Sequence, residues 1–357
     1  MKIVFSGGGT LGPVTPLLGI YEVLKDNYPT AKFLWVGTKS GPEGELVRKQ
    51  GIYFVGLTTG KFRRYRSFLN IVDFFLAFFG FFASLVFLIR HRPSVCVSAG
   101  GFVSVPLHLA AWCLRIPTWI HQQDARVGLS NKLMAPLARL ITTALEKNVR
   151  QFSKKKTVWL GNPVRADILT GDIIRSRERF SLGADKPIIL VTGGGTGAER
   201  INQLTAEAAP SLTQKFQIIH LVGQRRAAAA AEAAAAKYPN YHIYKFFTEE
   251  MKDAYAVADL VVSRGGFGAL SELSALKKPA IIIPLSGQQE DNVKELGEAG
   301  AVVVMSESTL TSAALVEKIT SLLSDPGQRS DLGRTLAYLL PVARPDDILR
   351  LFKKYFS

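Results

Sequence analysis

Residues 261–272 have the types and spacing of a site for a diphosphate and a ribose. They read Val-Val-Ser-Arg-Gly-Gly-Phe-Gly-Ala-Leu-Ser-Glu, an apolar strand that turns through glycines into the start of a helix. The first N–H groups of a helix have no partner within it, and with the helix dipole they favour a phosphate. Glu272 lies about one turn into this helix, where a carboxylate can accept hydrogen bonds from a ribose diol. Alone, this pattern equally fits a glycine-rich turn in any α/β domain.

Two more glycine loops have the same form. A short apolar strand ends at Phe5, and Gly-Gly-Gly-Thr-Leu-Gly-Pro follows at residues 7–13, ahead of a predicted helix. In the second half, a strand at 187–191 leads into Thr-Gly-Gly-Gly-Thr-Gly at 192–197. Glycines let a phosphate approach the backbone closely, and neither loop has the Lys-Ser/Thr of a Walker loop. The similarity of the loops predicts two similar doubly wound domains.

The elements that must position these loops alternate between strand and helix patterns, which predicts an α/β fold with parallel sheets. Strands are predicted at residues 2–5, 33–36, 95–98, 117–122, 142–144, 157–160, 187–191, 216–222, 242–246, 261–262, 280–284 and 302–305. Helices are predicted at residues 15–25, 43–50, 74–89, 131–137, 198–209, 225–237, 251–257, 269–275, 313–323 and 348–355, with a polar loop at 286–292. The proline-bearing joint at 161–165 separates an N-terminal domain (1–163) from a C-terminal domain (164–339), and we expect a helix within 340–357 to pack back on the first domain.

Length and composition narrow the class of protein. The chain has 357 residues, 47% of them hydrophobic, which suits two domains of ordinary size. Its 44 Lys and Arg against 29 Asp and Glu give a net charge of +15, which indicates a polyanionic partner: nucleic acid, an anionic membrane surface or a phosphorylated substrate. Cys96, Cys113 and the five histidines show no disulfide framework and no metal-ligand spacing. The N-terminus has no signal-peptide pattern, which predicts a cytoplasmic protein.

Residues 74–89 form the most apolar segment, with sixteen uncharged residues that include seven phenylalanines. Basic residues flank it: Lys61, Arg63, Arg64, Arg66, Arg90 and Arg92. A spanning helix needs about twenty apolar residues, and the chain resumes near Val95 as a core strand, so this segment should not cross a bilayer. We predict a helix in the membrane interface, with arginines on lipid head groups; a fully buried core helix is the alternative. Nucleic acid is disfavoured as a partner because the densest basic clusters flank this segment.

The chain as a whole resembles the MurG family of inverting, nucleotide-sugar-dependent glycosyltransferases. The matching stretches are residues 8–16, 100–104, 121–132, 161–167, 193–202, 264–272 and 288–292. The most specific of them are Gly-Asn-Pro-Val-Arg at 161–165 and Gln-Gln-x-x-Asn at 288–292. The resemblance implies a GT-B fold, two Rossmann-like doubly wound domains facing a cleft. It also implies transfer of N-acetylglucosamine from UDP-GlcNAc to undecaprenyl-diphosphate-linked MurNAc-pentapeptide, for peptidoglycan synthesis at the cytoplasmic face of the cell membrane.

The resemblance also assigns roles to residues. Glu272 would bind the ribose hydroxyls, and Phe247 would read the uracil edge through its main chain. Arg165 would lie near the nucleotide, and Gly195 would contact the donor. The donor diphosphate would bind to the backbone of Phe267, Gly268, Ala269, Leu270 and Ser271. The hydroxyls of the donor sugar would bind to Gln288 and Gln289. The acceptor diphosphate and the donor sugar would face Thr10, Leu11 and Gly12.

Two departures from the family pattern affect the choice of catalytic base. Pro13 stands where the family has the histidine of Gly-Gly-Thr-Gly-Gly-His, and His-Gln-Gln-Asp at 121–124 stands where it has His-Glu-Gln-Asn. Inverting transfer needs a base for the acceptor hydroxyl, and a glutamine has no usable basicity. Asp124 is our candidate, with a helix N-cap as its equally good alternative role. His121 is a second candidate, although a histidine at the end of an apolar strand is more often a core residue.

No metal and no cofactor are expected, because the chain has no Asp-x-Asp at a strand end and the helix dipole at Gly268 can stabilise the leaving UDP. Arg264 is a candidate for part of that stabilisation, or for a structural salt bridge. Two other functions stay open. Pro13 and Gln122 favour a related UDP-sugar transferase with another lipid acceptor. A non-catalytic UDP-sugar-binding homologue at the membrane would keep Glu272 and Phe247.

Overall fold

The computed structural model describes residues 1–60, 69–195, 197–223 and 228–356, and for residues 69–74 it describes the backbone only. The chain forms two compact units, Met1–Arg165 with Val342–Ser357 and Ala166–Pro341. We call these the first and second units. Several residues singled out in the sequence lie outside the described residues: Lys61, Arg63, Arg64, Arg66, Thr196 and Arg225.

A seven-stranded parallel sheet forms the centre of the first unit, in the order β3-β2-β1-β4-β5-β6-β7. Its strands are β1 (Lys2–Ser6), β2 (Lys32–Thr38), β3 (Tyr53–Leu57), β4 (Val95–Ser98), β5 (Thr118–Gln122), β6 (Leu140–Thr143) and β7 (Thr157–Trp159). Ser6 at the end of β1 pairs with Ser98 at the end of β4. The loops that follow these neighbouring strands therefore meet at one edge of the sheet.

Helices cover both faces of this sheet, as its nearly continuous burial requires. They are α1 (Thr15–Asn27), α2 (Glu43–Lys49), α3 (Leu69–His91), α4 (Ser104–Cys113) and α5 (Leu129–Met134), with 3₁₀ turns at Ala135–Leu137, Glu146–Gln151 and Lys154–Lys156. On one face Phe5 and Trp35 pack against Leu17 of α1. On the other face Phe87 and Leu88 of α3 pack with Leu107 of α4.

A six-stranded parallel sheet forms the centre of the second unit, in the order β10-β9-β8-β11-β12-β13. Its strands are β8 (Ile188–Thr192), β9 (Gln217–Leu221), β10 (Tyr241–Tyr244), β11 (Leu260–Ser263), β12 (Ala280–Ile282) and β13 (Val303–Val304). Thr192 of β8 pairs with Ser263 of β11, so the second and third glycine-rich stretches follow adjacent strands. In both units the predicted doubly wound α/β fold is confirmed.

The helices of the second unit again lie on both sides of the sheet. They are α6 (Ile173–Arg179), α7 (Glu199–Lys215), α8 (Ala229–Lys237), α9 (Met251–Val257), α10 (Phe267–Ala275), α11 (Gln288–Glu298), α12 (Ser312–Ser324) and α13 (Pro326–Leu339), with a 3₁₀ turn at Ala166–Thr170. The last helix, α14 (Pro345–Phe356), belongs to the first unit. It buries Ile348, Leu351 and Phe352, and the Phe352 ring lies 5.4 Å from that of Tyr28 at the end of α1.

Some predicted boundaries were wrong. The sequence interpretation omitted β3, α6 and α13. It ended α7 at Ala209, whereas the helix continues through Pro210 because buried Leu212 still packs on the sheet. It also made residues 286–292 a loop, whereas α11 begins at Gln288. There Gly287 adopts a positive φ of 95°, and its N–H donates to the Glu290 carboxylate at 2.9 Å, which starts the helix early.

His108 on α4 yields a prediction about pH. It is fully buried, and neither ring nitrogen has a hydrogen-bond partner among the described residues. Burial lowers its pKa from 6.5 to about 3. Below about pH 6.5 the unfolded chain therefore binds a proton that the folded chain does not, and stability falls as the pH falls. His108→Leu should remove this loss. The unfolding free energy of the variant minus that of the wild type should therefore be about 1 kcal/mol larger at about pH 5.5 than at about pH 7.5.

Urea unfolding followed by tryptophan fluorescence measures this effect in the first unit, because Trp35, Trp112, Trp119 and Trp159 all lie there. An equal gain at the two pH values would contradict the prediction.

Candidate functional site

Backbone groups of the first glycine loop, residues 7–13, form hydrogen bonds with the sheet of the first unit. The Gly7 N–H donates to the Val36 carbonyl at 3.3 Å, and Trp35 Nε1 donates to the Gly7 carbonyl at 3.0 Å. Just before the loop, Ser104 Oγ donates to the Ser6 carbonyl at 2.9 Å. The loop is therefore held by β2 and by the start of α4 before α1 begins.

Glu43 is a buried carboxylate beneath this loop, and the sequence analysis did not single it out. It accepts hydrogen bonds from the Thr38 N–H at 2.6 Å, from Thr38 Oγ1 at 2.5 Å and from the Gly9 N–H at 3.2 Å. A Cβ at Gly8 would lie 2.1 Å from Glu43 Oε1, so only glycine fits there. An acid in the first turn of a helix is ordinarily exposed and interacts with the helix dipole. The sequence therefore gives little indication that Glu43 binds the glycine loop.

His121, at the end of β5, has both ring nitrogens engaged. Nδ1 lies 3.0 Å from Thr142 Oγ1, which also accepts from Trp119 Nε1 at 2.8 Å, and Nε2 lies 2.8 Å from Asn162 Oδ1. The arrangement fits Nε2–H donating to Asn162 and the Thr142 hydroxyl donating to Nδ1. Burial lowers the His121 pKa to about 4, partly opposed by the Asn162 hydrogen bond. These hydrogen bonds commit both ring nitrogens to the core, which favours the core-residue alternative for His121 over the role of a catalytic base.

Asp124 lies on a turn that Gln122 holds in place. Gln122 Nε2 donates to the carbonyls of Asp124 at 2.8 Å and of Arg126 at 3.3 Å, and Gln122 Oε1 accepts from Asn131 Nδ2 at 2.7 Å. The N-cap alternative for Asp124 is wrong, because the next helix, α5, starts at Leu129 with Gly128 as its N-cap. Asp124 itself is half-buried.

The structure brings the end of β5 and the first glycine loop together. A Cβ at Gly12 would lie 3.5 Å from Gln123 Nε2 and 3.6 Å from Thr10 Oγ1. Thr10 is exposed, whereas the Leu11 side chain is half-buried and packs against the core. Thr10, Gly12 and the turn that carries Asp124 therefore belong to one surface of the first unit.

The start of α10 in the second unit has backbone donors that the helix itself leaves unpaired. The helix begins at Phe267, and the Leu270 N–H is already used by the Gly266 carbonyl at 3.1 Å. Ser271 is fully buried, and its hydroxyl donates to the Phe267 carbonyl at 2.8 Å. The Leu270 N–H and the Ser271 hydroxyl are thus used within the helix, and the diphosphate contact along residues 267–271 stays a prediction. The donors without an acceptor inside the helix are those of Phe267, Gly268 and Ala269.

Glu272 follows one turn later and is half-buried. The Tyr255 hydroxyl, on α9, lies 3.1 Å from Glu272 Oε2 and donates to it. Tyr255 is itself almost fully buried. A rigid phenol therefore fixes one carboxylate oxygen of Glu272, which sets the direction in which the carboxylate can accept from a ligand.

The Gln-Gln-x-x-Asn motif lies against the turn that precedes α10. Asn292 Nδ2 donates to the Gly265 carbonyl at 3.3 Å, and a Cβ at Gly265 would lie 3.0 Å from the Gln289 carbonyl. Gln289 Oε1 accepts from the Leu285 N–H at 3.0 Å, which orients its amide, while Gln288 is exposed. The two motifs, with fifteen residues between Glu272 and Gln288 in the sequence, therefore form one site surface.

Phe247 and Gly195 lie in loops of the second unit. The Phe247 ring is buried and stacks on Phe180 at 5.2 Å, with Tyr244 at 4.9 Å, so only its main chain can recognise a base. Gly195 is half-buried in the second glycine loop, next to Gly194, whose N–H donates to Thr192 Oγ1 at 3.2 Å.

The two arginines of the sequence analysis are both buried. Arg165 is the last residue of the first unit, and its contact with the nucleotide stays a prediction. Arg264 donates to the Ile283 carbonyl at 3.0 Å and forms an ion pair with Glu307. This geometry favours the structural salt bridge over a role at the leaving group. Within the described ranges, no cluster of three or more His, Cys, Asp or Glu side chains could hold a metal ion.

Comparison with known proteins gives consistent matches along the chain. Residues 3–143 match the glycosyltransferase family 28 N-terminal domain, and residues 188–334 match the family 28 C-terminal domain. The chain is 35% identical over 332 residues to the UDP-N-acetylglucosamine–N-acetylmuramyl-(pentapeptide) pyrophosphoryl-undecaprenol N-acetylglucosamine transferase of Lachnospira eligens, covering 92% of each chain. It is 36% identical to the protein of the same name from Shouchella clausii, covering 90% of each.

A solved structure agrees with these matches. The crystal structure of Acinetobacter baumannii MurG superimposes with a TM-score of 0.72 and 25% sequence identity, covering 99% of both chains. The fold and the relatives therefore point to the same family.

The role of Glu43 can be tested by amide hydrogen exchange. In Glu43→Gln, the new amide N–H would face the Gly9 N–H and could not accept from it. Losing a hydrogen bond to a charged group costs about 2 kcal/mol, so exchange across residues 7–13 should become more than about ten-fold faster.

Glu45→Gln is the matched control, because Glu45 is an exposed acid on the same helix and forms an ion pair with the exposed Lys49. Unchanged exchange in residues 7–13 of Glu43→Gln would show that the loop does not depend on this carboxylate.

Proposed function

Because the chain belongs to glycosyltransferase family 28 and, within it, to the MurG family, we propose that it transfers N-acetylglucosamine from UDP-GlcNAc to undecaprenyl-diphosphate-linked MurNAc-pentapeptide. The product is a membrane-bound peptidoglycan precursor. The observation that carries the proposal is the surface around the start of α10, where the first N–H groups of the helix, the oriented Glu272 and the start of α11 at Gln288 and Gln289 lie side by side.

The donor binds to this surface of the second unit. The N–H groups of Phe267, Gly268 and Ala269 take the diphosphate, and Glu272, held by Tyr255, accepts from the ribose hydroxyls. The main chain at Phe247 recognises the uracil edge, because its ring is committed to the aromatic cluster. The amides of Gln288 and Gln289 bind the sugar hydroxyls, and Gly195 lines the donor site.

The α10 N-terminus also supports departure of UDP. As the bond between the anomeric carbon and the UDP oxygen breaks, the electron pair leaves with UDP and negative charge grows on its diphosphate. The backbone donors and the positive end of the helix dipole are fixed by the fold before the reaction, so they stabilise this charge without reorganising. The second unit therefore supplies both donor recognition and leaving-group stabilisation.

Asp124 is the proposed base on the first unit. The acceptor hydroxyl oxygen attacks the anomeric carbon from the side opposite UDP, and its proton passes to the Asp124 carboxylate, which gives inversion. Support comes from the turn that Gln122 and Asn148 hold, with Asn148 Nδ2 donating to the Asp124 carbonyl at 2.8 Å. His121 is unsuited to this step because both of its nitrogens are engaged.

The outer face of α3 is the proposed contact with an anionic membrane surface. Its exposed side chains follow helical spacing, at Phe75, Phe78, Phe79, Phe82, Val86 and Ile89. Trp112 on α4 and Leu133 on α5 add to the apolar surface, and Arg90, Arg92 and Arg115 are exposed nearby in the chain. Along the residues that the structure describes, no helix has the length and apolar character that a membrane crossing requires. We propose peripheral binding at the cytoplasmic face, with no nucleic-acid partner.

Transfer of labelled N-acetylglucosamine from UDP-GlcNAc to a short-chain lipid-diphosphate muramoyl-peptide tests the function. The wild type should turn over, Asp124→Asn should lose at least about a hundred-fold in kcat because the base is gone, and Glu272→Ala should mainly weaken UDP-GlcNAc binding.

Clear UDP-GlcNAc binding by a wild type that does not transfer would favour another acceptor or a binding-only protein. Full activity of Asp124→Asn would remove Asp124 as the base.

Sedimentation with vesicles of anionic phospholipid tests the membrane face. Replacing Phe78, Phe79 and Phe82 with serine removes a large exposed apolar area, and the variant should stay in the supernatant under conditions in which the wild type sediments. The matched control replaces Leu169, Ile174 and Tyr338, which are exposed on the second unit, with serine. Co-sedimentation of a folded α3 variant at the wild-type level would refute this membrane face.

A further inference from the structure

Gln123 is a buried side chain whose amide oxygen has no partner within the described part of the chain. It is only 4% exposed, and its Oε1 makes no hydrogen bond there. Leaving a buried polar group unpaired is unfavourable, so such groups are rare and need a reason. The other glutamine of this turn, Gln122, has both ends of its amide engaged.

The Gln123 amide faces the first glycine loop. A Cβ at Gly12 would lie 3.5 Å from Gln123 Nε2, and the exposed Thr10 hydroxyl is a neighbour of the same glycine. Helix α1 begins directly after this loop, has thirteen residues and has no side-chain cap and no acidic residue in its first turn. The amide nitrogen of Gln123 therefore lies against the first glycine loop, on the surface that carries the exposed Thr10 hydroxyl.

We propose that Gln123 is a substrate-binding residue that takes the saccharide of the lipid-linked acceptor, an inference that rests on the proposed function. A carboxamide oxygen only accepts hydrogen bonds, so its partner is a hydroxyl or an amide N–H. The diphosphate of the acceptor has no such donor at neutral pH and is excluded as the partner of Oε1.

The position of Gln123 favours the acceptor over the donor as its ligand. It precedes Asp124, which must touch the acceptor hydroxyl if it is the base, and it adjoins Gly12 on the first unit. The groups assigned to the donor diphosphate, ribose and base, from Phe247 to Glu272, lie on the second unit, whereas Gly12 beside Gln123 belongs to the loop assigned to the acceptor diphosphate and the donor sugar. The saccharide that carries the attacking hydroxyl is therefore the part of the substrate nearest to Gln123.

A binding role and a structural role predict opposite effects on stability. If Gln123 serves the fold, replacing it must lower the melting temperature. If it serves a ligand, Gln123→Met replaces a buried unpaired polar group with an apolar side chain of similar length, and the melting temperature should stay the same or rise.

The test combines thermal melting with calorimetric titration of a short-chain lipid-diphosphate muramoyl-peptide. Gln123→Met should bind this acceptor roughly three- to ten-fold more weakly than the wild type, the range for one lost hydrogen bond. Its Kd for UDP-GlcNAc should be unchanged, and its melting temperature should not fall.

Gln217→Met is the matched control. Gln217 is 3% exposed but fully bonded: its Oε1 accepts from the Gly183 N–H at 2.7 Å, and its Nε2 donates to the Gly183 carbonyl at 3.0 Å. This variant should melt at a lower temperature and bind the acceptor normally.

Three outcomes would overturn the assignment. Normal acceptor affinity in Gln123→Met, with the wild type active, would refute the role of Gln123 and leave the proposed function intact. A lower melting temperature with unchanged affinity would make Gln123 structural. A wild type that neither binds nor uses this acceptor would overturn the proposed function, and the assignment with it.

Discussion

Backbone N–H groups at the carboxyl edges of the two parallel sheets need hydrogen-bond partners, and the two units meet this need differently. In the first unit the Gly9 N–H is satisfied by the carboxylate of Glu43, which also takes two hydrogen bonds from Thr38 and is shielded from water. At the start of α10 the corresponding donors have no acceptor within the helix. A protein carboxylate thus satisfies the donors of the first turn, whereas for the second we propose an anionic ligand, for which a diphosphate has suitable charge and size.

The need of buried polar groups for hydrogen-bond partners also distinguishes the polar residues at the end of β5. His121 and Gln122 are buried and use their side chains to hold Asn162, Thr142 and the Asp124 turn. Because these hydrogen bonds form within the protein, neither side chain is available to a substrate. Gln123 has similar burial but lacks such a partner for Oε1 among the described residues. We therefore propose different functions for adjacent residues of similar chemistry, because their surroundings differ.

The sequence was sufficient to predict the two doubly wound sheets, because alternating apolar strands and glycine loops reflect local backbone requirements. It failed where a distant residue decides the outcome. The partner of Arg264 is Glu307, and the partner of the first glycine loop is Glu43. Spacing cannot reveal either contact. The β3 strand was omitted because it is an edge strand with Tyr53 largely exposed, which weakens the apolar pattern. The early start of α11 depends on the positive φ of Gly287, which a glycine permits but does not require.

In the first unit, packed residues connect the first glycine loop to α3. A Cβ at Gly101 would lie 3.1 Å from the Gly8 carbonyl, so the loop before α4 touches the first glycine loop. Helix α4 begins at Ser104 and packs through Leu107 against Phe87 and Leu88 on the inner side of α3. The phenylalanines on the outer side of α3 remain exposed, and so much apolar surface in water is unfavourable unless it is covered. If a bilayer covers it, this close-packed path sets the depth of the first glycine loop relative to the membrane, which an acceptor anchored by its lipid requires.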